Sequence, residues 1–317
     1  MEAIHVQSIH YRIPETQLGI PELLAQVDPS DLPRAYPEAV AYTEFLRETF
    51  DLDAIRVEDG LPEEVFVTEM LEAMLDEGTV DPSEIDVILL AQEDDKRQKL
   101  NLAQYVQYEL DLPGAQLMTI SGNHCANLDF GLQTAAQLLR GDERIRQVLL
   151  LGSVRVTDPK VRLVGTYGVI GDGAAAMVVS REPGPLELLG TCAINNGYFH
   201  DVDLNKDESL LHLKYYTQAM QGALETARMA PEDIHQVIIQ NANPMLVTPC
   251  VGSLGIEESR IFLENLSRYG HLDCLDFPVN LKDYVQSETA AQGDNILAFG
   301  TGWAGSYIGT VLNIHAI

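Results

Sequence analysis

Basic residues are scarce in this chain. Against 48 Asp and Glu it has 20 Lys and Arg, a formal net charge of −28 over 317 residues. Such a surface repels nucleic acid and anionic membrane at long range, so neither is expected as a partner. The same charge serves solubility and says little about the substrate. Cysteine is scarce as well: Cys125, Cys192, Cys250 and Cys274 lie far apart, with no CxxC spacing and no matching His cluster. Neither a zinc site nor a disulfide framework is indicated, and a reducing cytoplasm fits. Also missing are an apolar run of membrane-spanning length, an apolar stretch behind the acidic start Met1-Glu-Ala-Ile-His-Val6, and any Pro-rich, Gly/Ser-rich or single-sign block. A soluble, unexported globular protein is expected.

What is present is an ordinary globular composition, 46% hydrophobic and 21% charged. The length suits one large core or two closely packed halves of about 150 residues each. The passages Leu75–Gln92 and Leu224–Asn241 resemble each other, with Pro82 matching Pro231 and Ile85 matching Ile234 at an offset of 149 residues. In each, a helix ends, a Pro with acidic neighbours makes a turn, and a strand of branched apolar residues follows. Val148-Leu-Leu-Leu-Gly-Ser153 and Asn295-Ile-Leu-Ala-Phe-Gly-Thr301 repeat at nearly the same separation, each a buried strand closing on Gly. The chain reads as an internal duplication. Strands alternating with helices in both halves predict a layered α/β fold, with sites at strand ends where the halves meet.

Cys125 is the residue from which chemistry can be argued. It stands in Ser121-Gly-Asn-His-Cys-Ala-Asn127, between a predicted strand over Gln116–Ile120 and an amphipathic segment with Leu128, Leu132, Ala135 and Leu139. A strand, a sharp turn and a helix start would leave unpaired N–H groups and the positive end of the helix dipole beside the thiol. That setting favours thiolate and a nucleophile's role. Its neighbour His124 diverges from it at a helix start and reads as a turn-packing residue.

Three further passages follow in order: Gly171-Asp-Gly-Ala-Ala-Ala-Met-Val-Val179, Gln240-Asn-Ala-Asn-Pro244 and Phe299-Gly-Thr-Gly-Trp-Ala-Gly305. Together with the Cys125 turn they resemble the thiolase superfamily, in its β-ketoacyl-acyl-carrier-protein synthase III branch, over essentially the whole chain. The resemblance implies a thiolase-like fold of two duplicated β-α-β halves in a layered αβαβα core. Residues 1–181 would form the half with the nucleophile, and 182–317 the half with the remaining catalytic groups. It implies acylation of Cys125 from a coenzyme A or acyl-carrier-protein thioester. The N–H of Cys125 and one from the Gly300–Gly302 loop would hold the oxyanion, glycine permitting close backbone approach to a reacting carbonyl. It also implies a homodimer, no bound cofactor or metal, and, for altered relatives, a setting in secondary metabolism.

Two departures bear on the activity. The family's His-Gln-Ala-Asn reads Gln240-Asn-Ala-Asn243 here, so the family histidine is missing. The position of the family's catalytic Asn, in Arg268-Tyr-Gly-His-Leu-Asp-Cys-Leu-Asp-Phe-Pro278, holds His271. The usual pair donates hydrogen bonds to the enolate formed when a malonyl thioester loses carbon dioxide. A histidine near the thiol can instead take a proton from an attacking hydroxyl or amine. Asp273 and Asp276 are the local candidates to orient it, and Asp276 resembles the His-then-Asp pattern of an acyltransferase side branch. Cys125, His271 and Asp276 are the expected triad, with His271 the base for transfer onward to a small-molecule acceptor. Gln240 and Asn243 are weaker candidates to bind the acyl carbonyl or the acceptor. Cys192 and Cys250 read as structural, and Trp303 is left without a role. Lys96-Arg97-Gln98-Lys99 could meet coenzyme A phosphates or an acidic carrier-protein helix, or be a solvated helix start. A decarboxylating ketosynthase and a non-catalytic partner subunit remain as alternatives.

Overall fold

The continuous apolar runs fold as strands buried on both faces, and the residues between them as the helices that cover those faces. The computed structural model describes residues 2–78, 80–92, 101–200 and 209–316, and the basic run Lys96 to Lys99 lies outside them. Strand β1 (His5–Arg12) leads into β2 (Gln17–Gly19), α1 (Ile20–Leu24), α2 (Ala39–Phe50) and β3 (Ala54–Arg56). Then come α3 (Glu63–Asp76), β4 (Ile85–Ala91), α4 (Leu102–Glu109), β5 (Gln116–Ile120), α5 (Asn127–Gly141), β6 (Gln147–Val154) and β7 (Gly173–Ser180). They are followed by β8 (Leu186–Asn195), α6 (Ser209–Ala227), β9 (Gln236–Ile239), α7 (Pro244–Ser253) and β10 (Ile261–Phe262). Helices α8 (Glu264–Tyr269) and α9 (Asp276–Val285) and strands β11 (Asn295–Gly302) and β12 (Ser306–Ile314) complete the order.

Ten strands join in the order β10-β9-β11-β12-β8-β1-β7-β6-β4-β5. The join at the centre is narrow: β1 meets β8 through His5 with Glu187 and Val6 with Leu186. On either side lies a five-stranded half. In one, β4 runs parallel to β5 and β6; in the other, β9 runs parallel to β10 and β11.

Alternate residues of each strand point to opposite faces, and the core divides accordingly. Val87 and Leu89 of β4, Val148 and Leu150 of β6, Ile238 of β9 and Ile296 of β11 share one cluster with Leu128 and Leu132 of α5 and Val279 and Leu281 of α9. The residues between them face outward. Ile88, Leu90, Leu149 and Leu151 meet α3 and α4. Val237, Ile239, Leu297 and Phe299 meet α6 and α7. Helix, sheet, helix, sheet and helix therefore stack as five layers, with α5 and α9 in the middle. Each fully buried Leu, Ile or Val contributes about 1.5–3 kcal/mol, and the middle helices are held from both sides.

The repeat seen in the sequence is the repeat of the fold. The 3-10 turns Pro82–Glu84 and Pro231–Asp233 precede β4 and β9, and each of those strands pairs in parallel with the second repeated strand, β6 or β11. A smaller cluster built from α1, α2 and β3 seats Tyr42, Leu46 and Ile55 against Leu163, Val169 and Leu266. It borders the loop that leads to the candidate histidine.

Candidate active site

After β5 the chain makes a 3-10 turn, His124–Ala126, and enters α5. Gly122 (φ 83°) and His124 (φ 48°) both take left-handed backbone, which costs a side-chained residue about 1–2 kcal/mol and bends the chain sharply. Asn127 closes the turn, its Oδ1 accepting from Asn123 N at 3.0 Å. Cys125 is thrown inward, 6% exposed. Across from it, α8 ends at Gly270 (φ 70°), and His271 follows. The His271 backbone is held against the 169–171 segment, its N–H donating to Val169 O and its carbonyl accepting from Gly171 N at 2.9 Å. Asp172, in the Gly-Asp-Gly motif, anchors that segment through two 2.9 Å bonds from Arg162, both residues being buried.

The two turns bring Cys125, His271 and Asp276 together. His271 Nε2 lies 3.3 Å from Cys125 Sγ, and His271 Nδ1 lies 2.5 Å from Asp276 Oδ2. Asp276 is fully buried and His271 is 2% exposed. The carboxylate is satisfied on both oxygens: Oδ2 also accepts from Asn241 N at 2.8 Å, and Oδ1 from Leu272 N at 2.8 Å. Because the Asp276 carboxylate accepts a hydrogen bond from Nδ1–H, neutral His271 presents its Nε2 lone pair to the sulfur.

Burial pushes the Cys125 thiol well above its ordinary pKa, and the charges of Asp273 and Asp276 push the same way. This corrects the expectation that the helix end by itself favours thiolate. Cys125 sits in the turn ahead of α5, within a low-dielectric setting where nearby acids oppose a second negative charge. Burial also lowers the His271 pKa, but attraction to Asp276 and their hydrogen bond, with Asp273 adding, leave it raised. A raised thiol beside a raised imidazole makes thiolate formation depend on proton transfer to His271.

The weaker site candidates fall in three places. Gln240 is a clamp: its Nε2 donates to Cys125 O at 2.6 Å, and its Oε1 accepts from Thr301 N at 3.2 Å. It lines a small cavity of about 30 Å³ together with Cys125, His271, Thr301 and Gly302. Gly302 approaches the nucleophile turn so closely that a Cβ there would lie 1.8 Å from Asn123 O. Gly300 is not among the residues lining that cavity; a Cβ on it would come within 2.6 Å of the Asp129 carboxyl of α5. Asn243 is also absent from the lining. Its Oδ1 caps α7 by accepting from Met245 N at 3.1 Å, and its Nδ2 donates to Thr166 O at 3.1 Å. At Gly300 the missing side chain makes room for a buried acid, and Asn243 holds two loops.

Sequence reasoning missed Tyr167, His212 and Tyr216, which wall the same cavity with Trp303. Tyr167 and Trp303 pack edge to face at 4.5 Å between ring centroids. His212 and Tyr216 stand four residues apart on α6, whereas Tyr167 and Trp303 come from separate parts of the chain that no local spacing links to them. Asn280 had a usable signal, since it lies four residues after Asp276 on one helix face. Its Nδ2 donates to Asn241 Oδ1 at 2.9 Å, steadying the loop whose N–H binds Asp276. Among the described residues no group of three or more His, Cys, Asp or Glu could hold a metal, and no helix is long and apolar enough to cross a membrane.

Two family models match. 3-Oxoacyl-[acyl-carrier-protein] synthase III matches residues 121–197, and the C-terminal part of the same enzyme family matches residues 224–314. The chain belongs to the synthase III-like branch of the thiolase superfamily. Among curated members of this enzyme family, the β-ketoacyl-[acyl-carrier-protein] synthase III of Aquifex aeolicus is 25% identical over 249 residues, 74% of this chain and 79% of its own length. Synthase III 2 of Vibrio vulnificus is 27% identical over 264 residues, 74% of this chain and 72% of its own. The solved Aquifex aeolicus synthase III structure superposes with a TM-score of 0.78 at 21% identity, covering 98% and 99% of the two chains. A structure described as ChlB3, an acyltransferase, superposes at 0.82 with 19% identity over 99% and 98%. The synthase III-like fold is therefore shared throughout.

Proposed function

We propose that this synthase III-like protein is an acyltransferase that carries an acyl group on Cys125 from a coenzyme A or carrier-protein thioester to a hydroxyl or amine. One observation supports this above the others. His271 turns an Nε2 lone pair to Cys125 Sγ at 3.3 Å while Asp276 accepts at Nδ1, an arrangement that takes protons. In the first half-reaction the thiol proton passes to Nε2 as sulfur attacks the thioester carbonyl. The oxyanion forms beside Gly302, where backbone N–H groups can approach, and the leaving thiol takes the proton from the imidazolium. In the second, the acceptor's proton passes to Nε2 as its oxygen or nitrogen attacks, and Cys125 is released and reprotonated. The donor, the acceptor and a dimeric assembly belong to the proposal; the carrier protein is suggested by the relatives' names.

The names of those relatives favour a second reading, decarboxylative condensation. That chemistry needs donors converging on an enolate oxygen. Here Gln240 donates instead to Cys125 O at 2.6 Å, and His271 Nε2 in the neutral ring is an acceptor. Intact-protein mass spectrometry after incubation with acetyl-, propionyl- and malonyl-coenzyme A separates the two, with Cys125→Ala alongside. A Cys125-dependent adduct that keeps the malonyl carboxylate is expected. Conversion of malonyl to acetyl with carbon dioxide release sinks acyl transfer in favour of condensation.

A further inference from the structure

Two proton acceptors face the sulfur of Cys125, and the triad accounts for only one of them. His271 Nε2 lies 3.3 Å from Sγ. The other is Asp273, two residues further along the same loop. Its carboxylate takes a hydrogen bond from the Cys125 thiol, and after burial its negative charge does most to oppose the thiolate. Of the two acids that follow His271, Asp276 holds the imidazole and Asp273 reaches the nucleophile. Asp273 opens the 3-10 turn Asp273–Leu275 with left-handed backbone (φ 56°), and that turn packs against the turn of Cys125.

One S–H hydrogen cannot serve both acceptors at once. In the free enzyme they compete for it; once sulfur is acylated the hydrogen is gone, and Nε2 and the Asp273 carboxylate both face the carbonyl group that the acceptor must attack. A hydroxyl brings one hydrogen. With that hydrogen on Nε2, the remaining lone pair of its oxygen meets a carboxylate, which is repulsive. A primary amine brings two hydrogens and one lone pair. Its lone pair can meet the carbonyl carbon while one N–H points to Nε2 and the other to Asp273, and the positive charge that grows on nitrogen during attack lies beside a negative group. The surroundings agree. Tyr167, Tyr216 and Trp303 line the small cavity beside Cys125 and His271, and aromatic rings accept a cationic nitrogen where aliphatic walls do not. The side-chain amide of Gln240 is engaged between Cys125 O and Thr301 N, which leaves recognition of the incoming nitrogen to the two acceptors.

We propose that the acyl acceptor is a primary amine, held for attack between His271 Nε2 and the Asp273 carboxylate. The proposal rests on the acyl-transfer reading and names its acceptor class. Nitrogen forms a bond to the acyl carbon, one of its protons passes to Nε2, the C–S bond breaks, and sulfur takes that proton from the imidazolium. The second N–H, held by Asp273 throughout, remains in the amide. Thioester and amine thus give thiol and amide with nothing left over. In water the amine is chiefly an ammonium, which a chain of net charge −28 attracts at long range and which gives up a proton to solvent before attack.

The test starts from the acyl-enzyme. The wild type is acylated with acetyl-coenzyme A, freed of donor, and mixed with propylamine or propanol, and with benzylamine or benzyl alcohol. Intact mass follows loss of the acetyl group, and product mass separates amide from ester. The amine-to-alcohol rate ratio should exceed that of free acetyl-coenzyme A in the same buffer by about tenfold or more, the factor for one charge-assisted hydrogen bond. Asp273→Asn and Asp273→Ala should each return the ratio to that of the free thioester. Each should also speed alkylation of Cys125 by iodoacetamide, because the thiol loses an acceptor and an opposing charge; melting temperatures show that the variants fold, and the near-isosteric Asn guards against a defect in the turn. A wild-type ratio no larger than that of the free thioester, or discharge by neither kind of acceptor, overturns the proposal and leaves the acyl-enzyme standing. So does a ratio that both variants retain, or alkylation that neither substitution speeds. Absence of an acyl-cysteine from acetyl-, propionyl- and malonyl-coenzyme A, with Cys125 still alkylated, overturns the acyl-transfer reading and this proposal together.

Discussion

Cys125 and Cys274 occupy the same place in two equivalent turns, 149 residues apart, the offset of the internal repeat. Each is the middle residue of a 3-10 turn, His124–Ala126 or Asp273–Leu275, whose first residue has positive φ, 48° or 56°. Each turn opens onto a middle-layer helix, and each is closed by the helix's first residue. Asn127 Oδ1 accepts from Asn123 N at 3.0 Å, and Asp276 Oδ1 accepts from Leu272 N at 2.8 Å, again 149 residues apart. Local geometry is the same, yet one turn presents a thiol to His271 while the other supplies the carboxylate behind that histidine. The second oxygen of Asp276, which Asn127 lacks as an acceptor, is what binds the imidazole. Duplication made two bent turns; one amide-to-acid difference and what lies opposite each turn separate their roles.

The largest effect that would break this comparison is at sulfur. Cys125→Ala should abolish the acyl-enzyme, whereas Cys274→Ala should leave the acylation rate within a few-fold and cost about 1 kcal/mol of stability for a small buried side chain. Acylation lost equally in both, read by intact mass and denaturant midpoint, would mean the second turn shares the chemistry.

Next comes the acid-amide difference. Only neutral His271 accepts a proton, so transfer should fall as pH drops through its pKa, which the fold raises above the ordinary 6.5. Asp276→Asn removes the attraction and leaves burial, which lowers the pKa. The acid limb of the rate profile should therefore move to lower pH while the plateau falls roughly 10²–10⁴-fold, and the new amide N–H₂ would oppose Asn241 N–H. Asn127→Ala should shift no limb and cost about 0.5–2 kcal/mol of stability. An unmoved limb in Asp276→Asn would remove the carboxylate from the mechanism.

The smallest contrast lies within one strand. Gly302→Ala should impair acylation about tenfold or more, because its Cβ would meet the backbone oxygen of Asn123, which cannot yield without moving Cys125. Gly300→Ala meets the side chain of Asp129 instead, and should cost about 1–3 kcal/mol of stability with a lesser effect on rate. Rates and melting temperatures of the two variants, compared directly, check this.

Much of the fold was legible because it is written in local pattern. The runs in β4, β6, β9 and β11 are apolar at every position that a doubly covered strand must bury, and the Pro turns at Pro82 and Pro231 mark their starts. The three residues that meet in the Cys125–His271–Asp276 contact were named from the sequence, the cysteine from its turn and the other two through the family resemblance. The environment was not. The shift of the Cys125 thiol comes from burial and from Asp273 and Asp276 at the facing turn ahead of α9, so a helix-end argument pointed the wrong way. Gly300 and Asn243 belong to the right loops but face other neighbours, and loop membership does not reveal which way a residue faces.

By itself, then, the sequence determined what local pattern can encode: alternation of strand and helix, a 149-residue repeat, a bent turn around a cysteine, and a histidine followed five residues later by an acid. Tertiary structure decided what depends on distance through space. It set Nε2 at 3.3 Å from Sγ and gave the Gln240 amide to the two loops it joins. The reason is physical. Secondary structure follows from neighbours along the chain, whereas a pKa, a tautomer and a pocket are set by groups that packing alone brings into range.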